Sequence, residues 1–239
     1  FTMRAGGEDI WGAQDSFGFA YQMLSGDFDI RLQMTGIRGG NACTRAGLMV
    51  REDETPGSRN VFAGTYPQTG DNHWVATYRE QIDAATLITA GGYIPRADFA
   101  FPNAWFRLTR SGQTFAAYYS ANGFDWTPLG GSVTADIPYP NPVMVGIASS
   151  TIFNCGAVPQ ALFDFANYGP TVAEPPAVSI ALDGSTVVIS WSASAANFAL
   201  EETAQLGAAG VWTAVSTPPV QVGDRVQVTI PVGPGTRFF

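Results

Sequence analysis

Alternation of apolar and polar residues with a period of two recurs along the chain, and it limits how the chain can fold more than any other feature. Residues two apart lie on the same face of a β-strand, so each alternating set predicts a strand with one buried face. No segment shows sustained helical periodicity, and turn residues recur between the sets. The sequence therefore predicts an all-β protein whose antiparallel sheets share a core. Two of the sets are Phe28, Ile30, Leu32, Met34 and Val143, Val145, Ile147.

Two further segments have a predicted local structure. The stretch TYREQIDAATLITAGGY is the one ambiguous segment, and we interpret it as a strand, a turn and a strand. In FAAYYSANGFDWTPLG, Asn122 and Gly123 are residues that accept the positive φ of a hairpin turn. Tyr118, Tyr119 and Trp126 flank this turn, and we expect them to pack across the hairpin.

A proline pair indicates where the chain divides. Pro175 and Pro176 block continuation of a helix or a sheet and form a stiff, extended connector. We predict a first domain over residues 1–169, a Pro-rich linker over 170–176 and a second domain over 177–239. Alternating sets predict that the second domain is a small β-sandwich. These sets begin at Val178, Val187, Phe198 and Val226.

The charge balance excludes two classes of partner. The chain has no lysine, and its 12 basic residues stand against 20 acidic ones, for a formal net charge of -8. Nucleic acids and anionic membranes both need a basic surface, so neither is an expected partner. No apolar run approaches the roughly 20 residues of a membrane-spanning helix, so we expect no membrane insertion.

The chain has two cysteines, Cys43 and Cys155, and neither belongs to a CxxC or another metal-type spacing. We predict a disulfide between them, as in an extracellular protein, with two buried thiols as the alternative. A loop of this length would make the disulfide worth roughly 4 to 5 kcal/mol in the chain-entropy model.

An ordered series of segments resembles a known family. FTMRAGGEDIWGAQDSFGFAYQMLSGDFDIRLQM, RAGLMVRE, WFRLTRSGQTFAAYYSANGFDWTPLG, VMVGIASS and ALFDFANY together resemble the concanavalin A-like, laminin-G-type jelly rolls of secreted bacterial proteins, which include C-terminal domains of some β-xylosidases. ISWSASAANFALEETAQLGAAGVWTAV and TRFF resemble small fibronectin-like or immunoglobulin-like modules. The resemblance implies a concanavalin A-like jelly roll followed by a small immunoglobulin/fibronectin-like β-sandwich. It also implies a further strand before Phe1 and a continuation after Phe239, hence two modules of a longer protein.

Several acidic residues near Trp11 raise the question of catalysis. Glu8, Asp9 and Asp15 lie in loop-like sequence, and no strand register places two of them face to face, as glycoside hydrolysis requires. In the resembling family this segment enters the sheet with the tryptophan packed on it, and we interpret it as structural. The single histidine, His73, has no nucleophile elbow nearby, and one histidine with two distant cysteines does not supply a zinc site. We predict no catalytic residues and no enzyme activity.

The segment HWVATYR carries the best candidate for binding. Trp74 and Tyr78 share one face of a predicted strand, with His73 and Arg79 beside them. Aromatic planes stack on the apolar faces of sugars and arginine donates to hydroxyls, so these four residues would line a carbohydrate-binding groove. The alternative is that Trp74 and Tyr78 belong to the core. Two more arginines would approach the same surface if their strand is a neighbour, namely Arg45 and Arg51.

The resemblance also implies a possible structural calcium ion. Related jelly rolls hold calcium through carboxylates and carbonyls near the ends of the first and last strands, and such hard oxygen ligands suit the ion. Asp27 and Asp29 in SGDFD, with Asp164 in LFDFA, are the corresponding candidates. The alternative is that Asp27 satisfies a turn and that Asp164 faces solvent.

The expected function is that of a non-catalytic, extracellular or cell-surface module pair, used for adhesion or carbohydrate binding within a larger secreted protein. One alternative is a structural subunit of an extracellular filament, sheath or surface layer, because an open strand edge accepts a strand from another chain. Another is an ancillary part of a glycoside hydrolase. The expected partner is a polysaccharide or glycan, or further copies of the chain itself.

Overall fold

The chain forms two compact units, Phe1–Val172 and Ala173–Phe239. The computed structural model describes residues 1–41, 43–68, 71–96, 101–152, 155–156, 158–171, 177–193, 198–206 and 210–239. Residues 172–176 of the predicted linker lie outside these ranges. No helix within the ranges is long and apolar enough to cross a membrane.

The first unit consists of two antiparallel sheets. Strands of the first sheet are β1 (Thr2–Ala5), β3 (Phe28–Arg38), β8 (Ala104–Ser111), β9 (Thr114–Ser120), β10 (Thr127–Pro128), β11 (Val133–Thr134) and β13 (Ala161–Pro170). Their order is β1-β13-β3-β8-β9-β10, and β11 also pairs with β9. Strands of the second sheet are β2 (Gly18–Leu24), β4 (Arg45–Arg51), β5 (Asn60–Gln68), β6 (Asp71–Arg79), β7 (Leu87–Arg96) and β12 (Val143–Ser150). Their order is β2-β12-β4-β5-β6-β7.

Both sheets contribute to one core that lies between them. Leu32 and Phe106 come from the first sheet, Leu48 and Trp74 from the second, and each is 1% exposed or less. The ring of Trp74 lies 4.5 Å from that of Phe106, measured between centroids. Burial of each such side chain contributes roughly 1.5 to 3 kcal/mol. The all-β prediction is therefore confirmed, and the first unit is a β-sandwich.

The predicted hairpin around Asn122 forms, with a loop longer than two residues. Tyr119 of β9 is opposite Thr127 of β10. The side-chain oxygen of Asn122 accepts hydrogen bonds from the amides of Phe124 and Asp125, each at 2.9 Å. Gly123 has a φ of 80°, which a glycine adopts without steric cost. Both residues therefore turn the chain, but Asn122 does so through its side chain and not through the positive φ that was predicted for it. The ambiguous TYREQIDAATLITAGGY segment likewise divides between β6 and β7.

The second unit has a smaller core on one face of its main sheet. Ile189, Trp191 and Val228 are each 2% exposed or less. The predicted strand at Phe198 is wrong, because residues 198–200 are outside any strand and the strand of this segment is limited to Glu201–Glu202, followed by an isolated bridge at Thr203. The strands are β14 (Ser179–Asp183), β15 (Thr186–Ser192), β16 (Glu201–Glu202), β17 (Thr213–Ala214), β18 (Val220–Val222) and β19 (Arg225–Pro231). They form a sheet of order β14-β15-β19-β18 and a separate β16-β17 pair.

Candidate functional site

The middle of the second sheet of the first unit is buried on both faces, as the fully buried strand β4 shows. Leu48 and Val50 point into the core, so Met49 and Arg51 point to the opposite face, here named the outer face. Met49, Phe62 and Val75 on this face are each 2% exposed or less. They pack with Ile10, which lies in residues 6–17, here named the covering loop. The covering loop connects β1 of the first sheet to β2 of the second, and it lies across the outer face.

Local geometry shapes the covering loop into a tight return. Gly7 has a φ of 133°, and a Cβ atom there would lie 1.9 Å from the carbonyl oxygen of Ser16. Asp9 and Ser16 form an isolated antiparallel bridge, in which the Ser16 amide donates to the Asp9 carbonyl oxygen at 2.9 Å. Residues 10–15 are therefore presented as a compact projection over the sheet.

Buried arginines of the outer face fix one end of this projection through Asp15. Arg51 donates from Nη1 to Oδ2 of Asp15 at 2.5 Å, and Arg79 donates from Nη2 to Oδ1 at 2.7 Å. The Asp15 side chain is 0% exposed, and those of Arg51 and Arg79 are 2% and 0% exposed. Asn60 also donates to Asp15, at 3.2 Å. One carboxylate thus pairs with two buried guanidinium groups, and its two oxygens are both used in these ion pairs.

A third buried arginine, Arg45, fixes the other end of the projection. Its Nη1 donates to the carbonyl oxygen of Ile10 at 3.0 Å, and its Nε lies 3.6 Å from Oδ1 of Asp9. Its guanidinium carbon lies 5.1 Å from the ring centroid of Trp11, within the range of a cation–π contact. One buried side chain therefore positions three consecutive residues of the covering loop.

An open groove lies beside this arrangement, and we name it the tryptophan groove. Its volume is about 400 Å³, within the usual range for small-molecule sites. Trp11 is 36% exposed and Tyr93 is 38% exposed, so two aromatic rings are accessible in one groove. The Tyr93 ring also lies 4.8 Å from the ring of His73. Its lining residues are Asp9, Trp11, Arg45, Val75, Ile88 and Tyr93.

Electrostatics in the tryptophan groove are set by the pair of Asp9 and Arg45. Burial raises the pKa of the Asp9 carboxyl above its usual value, while the charge of Arg45 and a hydrogen bond from the Ile10 amide oppose that rise. The amide lies 2.7 Å from Oδ1 of Asp9. A carboxylate and a guanidinium beside two exposed rings can accept from and donate to hydroxyl groups of a bound molecule.

The predicted exposed platform on β6 is wrong. Trp74 is 1% exposed and Arg79 is 0% exposed, so neither can contact a carbohydrate. Trp74 contacts Phe106 and Tyr119 in the core, and Arg79 forms an ion pair with Asp15. Tyr78 is half-buried against the core. His73, 8% exposed, is the one member of the four that contacts the tryptophan groove, through Tyr93.

The predicted calcium ligands are also separated. Asp164 is opposite Gly36, seven residues along β3 from Asp29, which corresponds to about 23 Å along a strand. Asp27 accepts from the Gly112 amide at 2.7 Å, as expected of a turn residue. Among the described residues, no group of three or more histidine, cysteine or acidic side chains is placed to hold a metal ion. The calcium assignment is therefore wrong for this set.

The two separated carboxylates have arginine partners instead. Arg107 donates to Asp29 at 2.8 and 2.5 Å, and Arg38 donates twice to Asp164 at 2.9 Å. Burial opposes ionisation of Asp29, but hydrogen bonds from Arg107 and Thr171 and the Arg107 charge outweigh it and lower its pKa. Hydrogen bonds from Arg38 and Thr2 lower the pKa of Asp164. Arginine partners thus stabilise the ionised form of both carboxylates.

The two cysteines lie next to strands of the second sheet, since Cys43 precedes β4 and Cys155 follows β12. Cys43 and Cys155 form a disulfide with a Cα–Cα distance of 6.1 Å. The side-chain amide of Asn41 donates to the Ile152 carbonyl oxygen at 3.0 Å, next to the same link. Disulfides of this kind are typical of proteins from oxidising compartments.

Sequence reasoning placed Arg45 near a binding surface but interpreted Trp11 as packed and did not select Tyr93. Trp11 precedes Gly12, and Asp9 lies two residues before it; glycine and aspartate are turn residues, so this pattern places Trp11 in a turn. Tyr93 gave no such signal, because it is one aromatic residue in an alternating strand. Its exposure follows from the position of β7 at the edge of the second sheet.

Comparison with known proteins shows a likeness of fold. No protein-family model and no curated protein sequence matches the chain. A functionally unknown protein from Saccharomyces cerevisiae is 16% identical with a TM-score of 0.52, over 73% of this chain and 88% of that one. A xylan β-1,4-xylosidase from Bacillus halodurans C-125 is 16% identical with a TM-score of 0.47, over 65% of this chain and 29% of that one. A bifunctional GH43-CE protein of Bacteroides eggerthii is 15% identical with a TM-score of 0.46, over 72% of this chain and 22% of that one.

Proposed function

We propose that the first unit is a non-catalytic, laminin-G-type jelly roll that binds carbohydrate in an extracellular or cell-surface protein. The observation that carries the proposal is the tryptophan groove, in which exposed Trp11 and Tyr93 stand beside the paired Asp9 and Arg45. A mainly apolar groove with a few fixed polar groups is the usual form of a small-molecule site. The disulfide supports an extracellular location.

The position of Trp11 suits stacking on a sugar ring. The guanidinium carbon of Arg45 lies 5.1 Å from the Trp11 ring centroid. The same guanidinium donates to the carbonyl oxygen of the preceding residue, Ile10, at 3.0 Å. Little conformational freedom is then lost when a ligand binds, which favours affinity. The non-catalytic part of the proposal is supported by Asp15, whose carboxylate is occupied by two arginines.

We expect Trp11→Ala to weaken carbohydrate binding about tenfold or more, because it removes the stacking surface without touching the core. The measurement is a glycan array with the purified chain, followed by calorimetric titration of each sugar that binds. Trp212→Ala is the matched control, since Trp212 is 44% exposed in the second unit. Equal binding by all three proteins, or the absence of binding to any glycan, would contradict the proposal.

Self-assembly is a second candidate, favoured by the edge strand β14 of the second unit. Ile180 is opposite Ile189 and Leu182 is opposite Val187, so both lie on the core face of the sheet. They are nevertheless 63% and 72% exposed. In an antiparallel pair centred on Ala181, Leu182 would be opposite the partner's Ile180. We propose that a second copy of the chain adds its own β14 at this edge.

We expect wild-type protein to associate with increasing concentration and Leu182→Arg to remain monomeric, because a charge on the core face opposes strand pairing. Sedimentation velocity over a wide concentration range measures this. Val211→Arg is the control, as Val211 is 75% exposed and lies outside β14. A wild-type protein that stays monomeric at every concentration would eliminate this candidate.

A further inference from the structure

A second aromatic groove lies at the other edge of the outer face, and we name it the tyrosine groove. Phe17, Phe19 and Tyr21 form a ladder with ring centroids 5.6 and 5.1 Å apart. The guanidinium of Arg51 lies 5.2 Å from the Phe17 ring, much as Arg45 lies against Trp11. Tyr21 is 41% exposed, and its hydroxyl donates to Glu54 at 2.5 Å. The groove has a volume of about 490 Å³.

The two grooves are joined by a third depression along the covering loop. This depression, of about 390 Å³, is lined by Asp9, which also lines the tryptophan groove. It shares Asp15, Ser16 and Pro56 with the tyrosine groove. The three depressions are therefore neighbours around the covering loop, and together they are here named the furrow, with aromatic rings at both ends and polar groups between them.

Strand register gives the distance between the two ends of the furrow, along a row that passes beneath the covering loop. Phe19 is opposite Ala148, which is opposite Gly47. The same row continues through Gly64 and Val75 to Tyr93. Phe19 and Tyr93 thus lie in one row that crosses all six strands of the second sheet. Five spacings between neighbouring strands correspond to about 24 Å, longer than a single sugar ring and suited to several linked ones.

The charges along the furrow select against anions. Glu8, Asp9 and Glu54 contribute carboxylates to its three parts. The arginines that reach it have committed partners, since Arg45 pairs with Asp9 and Arg51 pairs with buried Asp15. The whole chain also carries a formal charge of -8. An acidic polymer would be repelled here, whereas hydroxyl groups of a neutral sugar find acceptors.

We propose that the furrow binds an internal stretch of an extended, neutral polysaccharide, with one set of sugar rings on Trp11 and another on Tyr21. The inference rests on the proposed function and names its substrate class and the extent of its site. A chain that occupies both ends gains affinity from the second groove, because the two contacts are linked through one ligand. A short oligosaccharide reaches only one of them.

The test is calorimetric titration of the full chain with cello-, xylo-, manno- and laminari-oligosaccharides of two to six units. For wild-type protein, we expect affinity to rise about tenfold or more from the shortest to the longest member of the series that binds. Tyr21→Ala should remove this rise. Met23→Ala is the matched control, because Met23 is 48% exposed on the same face of β2 and does not line the groove. Polygalacturonate, an acidic probe, should not bind.

The outcomes separate the inference from the function on which it rests. Suppose that affinity does not change with oligosaccharide length or in the Tyr21→Ala variant, but is lost in Trp11→Ala. That result would overturn the proposal for the furrow and would retain binding at the tryptophan groove. Tight binding of polygalacturonate would overturn the neutral substrate class. Absence of binding to every probe would remove the function itself. Because Tyr21 is exposed, unchanged circular dichroism of Tyr21→Ala will show that the variant folds.

Discussion

Replacement of Asp15 by alanine is expected to lower the free energy of unfolding by roughly 3 to 5 kcal/mol, one of the two largest effects that we predict. The substitution leaves Arg51 and Arg79 buried without the carboxylate that now pairs with both of them. Both guanidinium groups would keep hydrogen bonds to backbone carbonyl oxygens, but two buried positive charges would have no negative charge beside them. The covering loop would also lose the side-chain attachment of residue 15 to β4 and β6. Urea denaturation followed by circular dichroism measures the change.

Two further variants make this prediction specific. Asp164→Ala removes the same side chain from an exposed pair with Arg38, and it should have a much smaller effect. Asp15→Asn preserves the shape of the side chain and removes its charge, so this variant should also be less stable than the wild type. It should still fold if the alanine variant does not. A loss below about 1 kcal/mol for both Asp15 variants would contradict the buried arrangement.

Replacement of Trp74 by alanine is expected to cost roughly 3 to 5 kcal/mol, because it empties a large volume in the core. The ring contacts Phe106 and Tyr119 across the two sheets, at centroid distances of 4.5 and 5.2 Å. Denaturant unfolding followed by circular dichroism is the suitable measurement, as the substitution itself alters the fluorescence. Trp212→Ala, at an exposed position, should leave stability nearly unchanged.

The consequence for binding distinguishes this prediction from the platform hypothesis. Trp74→Phe keeps most of the apolar volume and should fold with a smaller loss of stability. In the folded variant, carbohydrate affinity should equal that of the wild type, since Trp74 does not line the furrow. Lost affinity in a fully folded Trp74→Phe protein would restore the original hypothesis.

Strands were predictable because alternation reflects burial of one face. The sets around Leu32, Leu48 and Val145 all fall within strands of the two sheets. The failure at Phe198 has a physical reason. Leu200 packs against the second core and accepts a backbone hydrogen bond from Val215, but the strand begins only at Glu201. The apolar spacing of Phe198 and Leu200 therefore reflects packing of an irregular segment rather than a strand.

The site was less predictable because the second sheet is covered on both faces. Along β6, Trp74 faces the other sheet while Val75 faces the covering loop. Alternation shows that two faces exist, but it does not show what covers each of them. The partners of Asp15 are equally hidden in the sequence, since they meet only through the strand order β4-β5-β6. The pairing of Asn60 with both Arg51 and Arg79 creates that meeting point.

The path of the covering loop has a consequence for the order in which the first unit folds. β1 on one side of the loop pairs with β13, and β2 on the other side pairs with β12. Both partners are encoded near the end of the unit, so these non-local pairings are expected to form late. During synthesis, the covering loop is therefore not fixed over Met49, Phe62 and Val75 until the last strands emerge. A chain interrupted before β12 would leave these apolar side chains exposed and would be prone to aggregate.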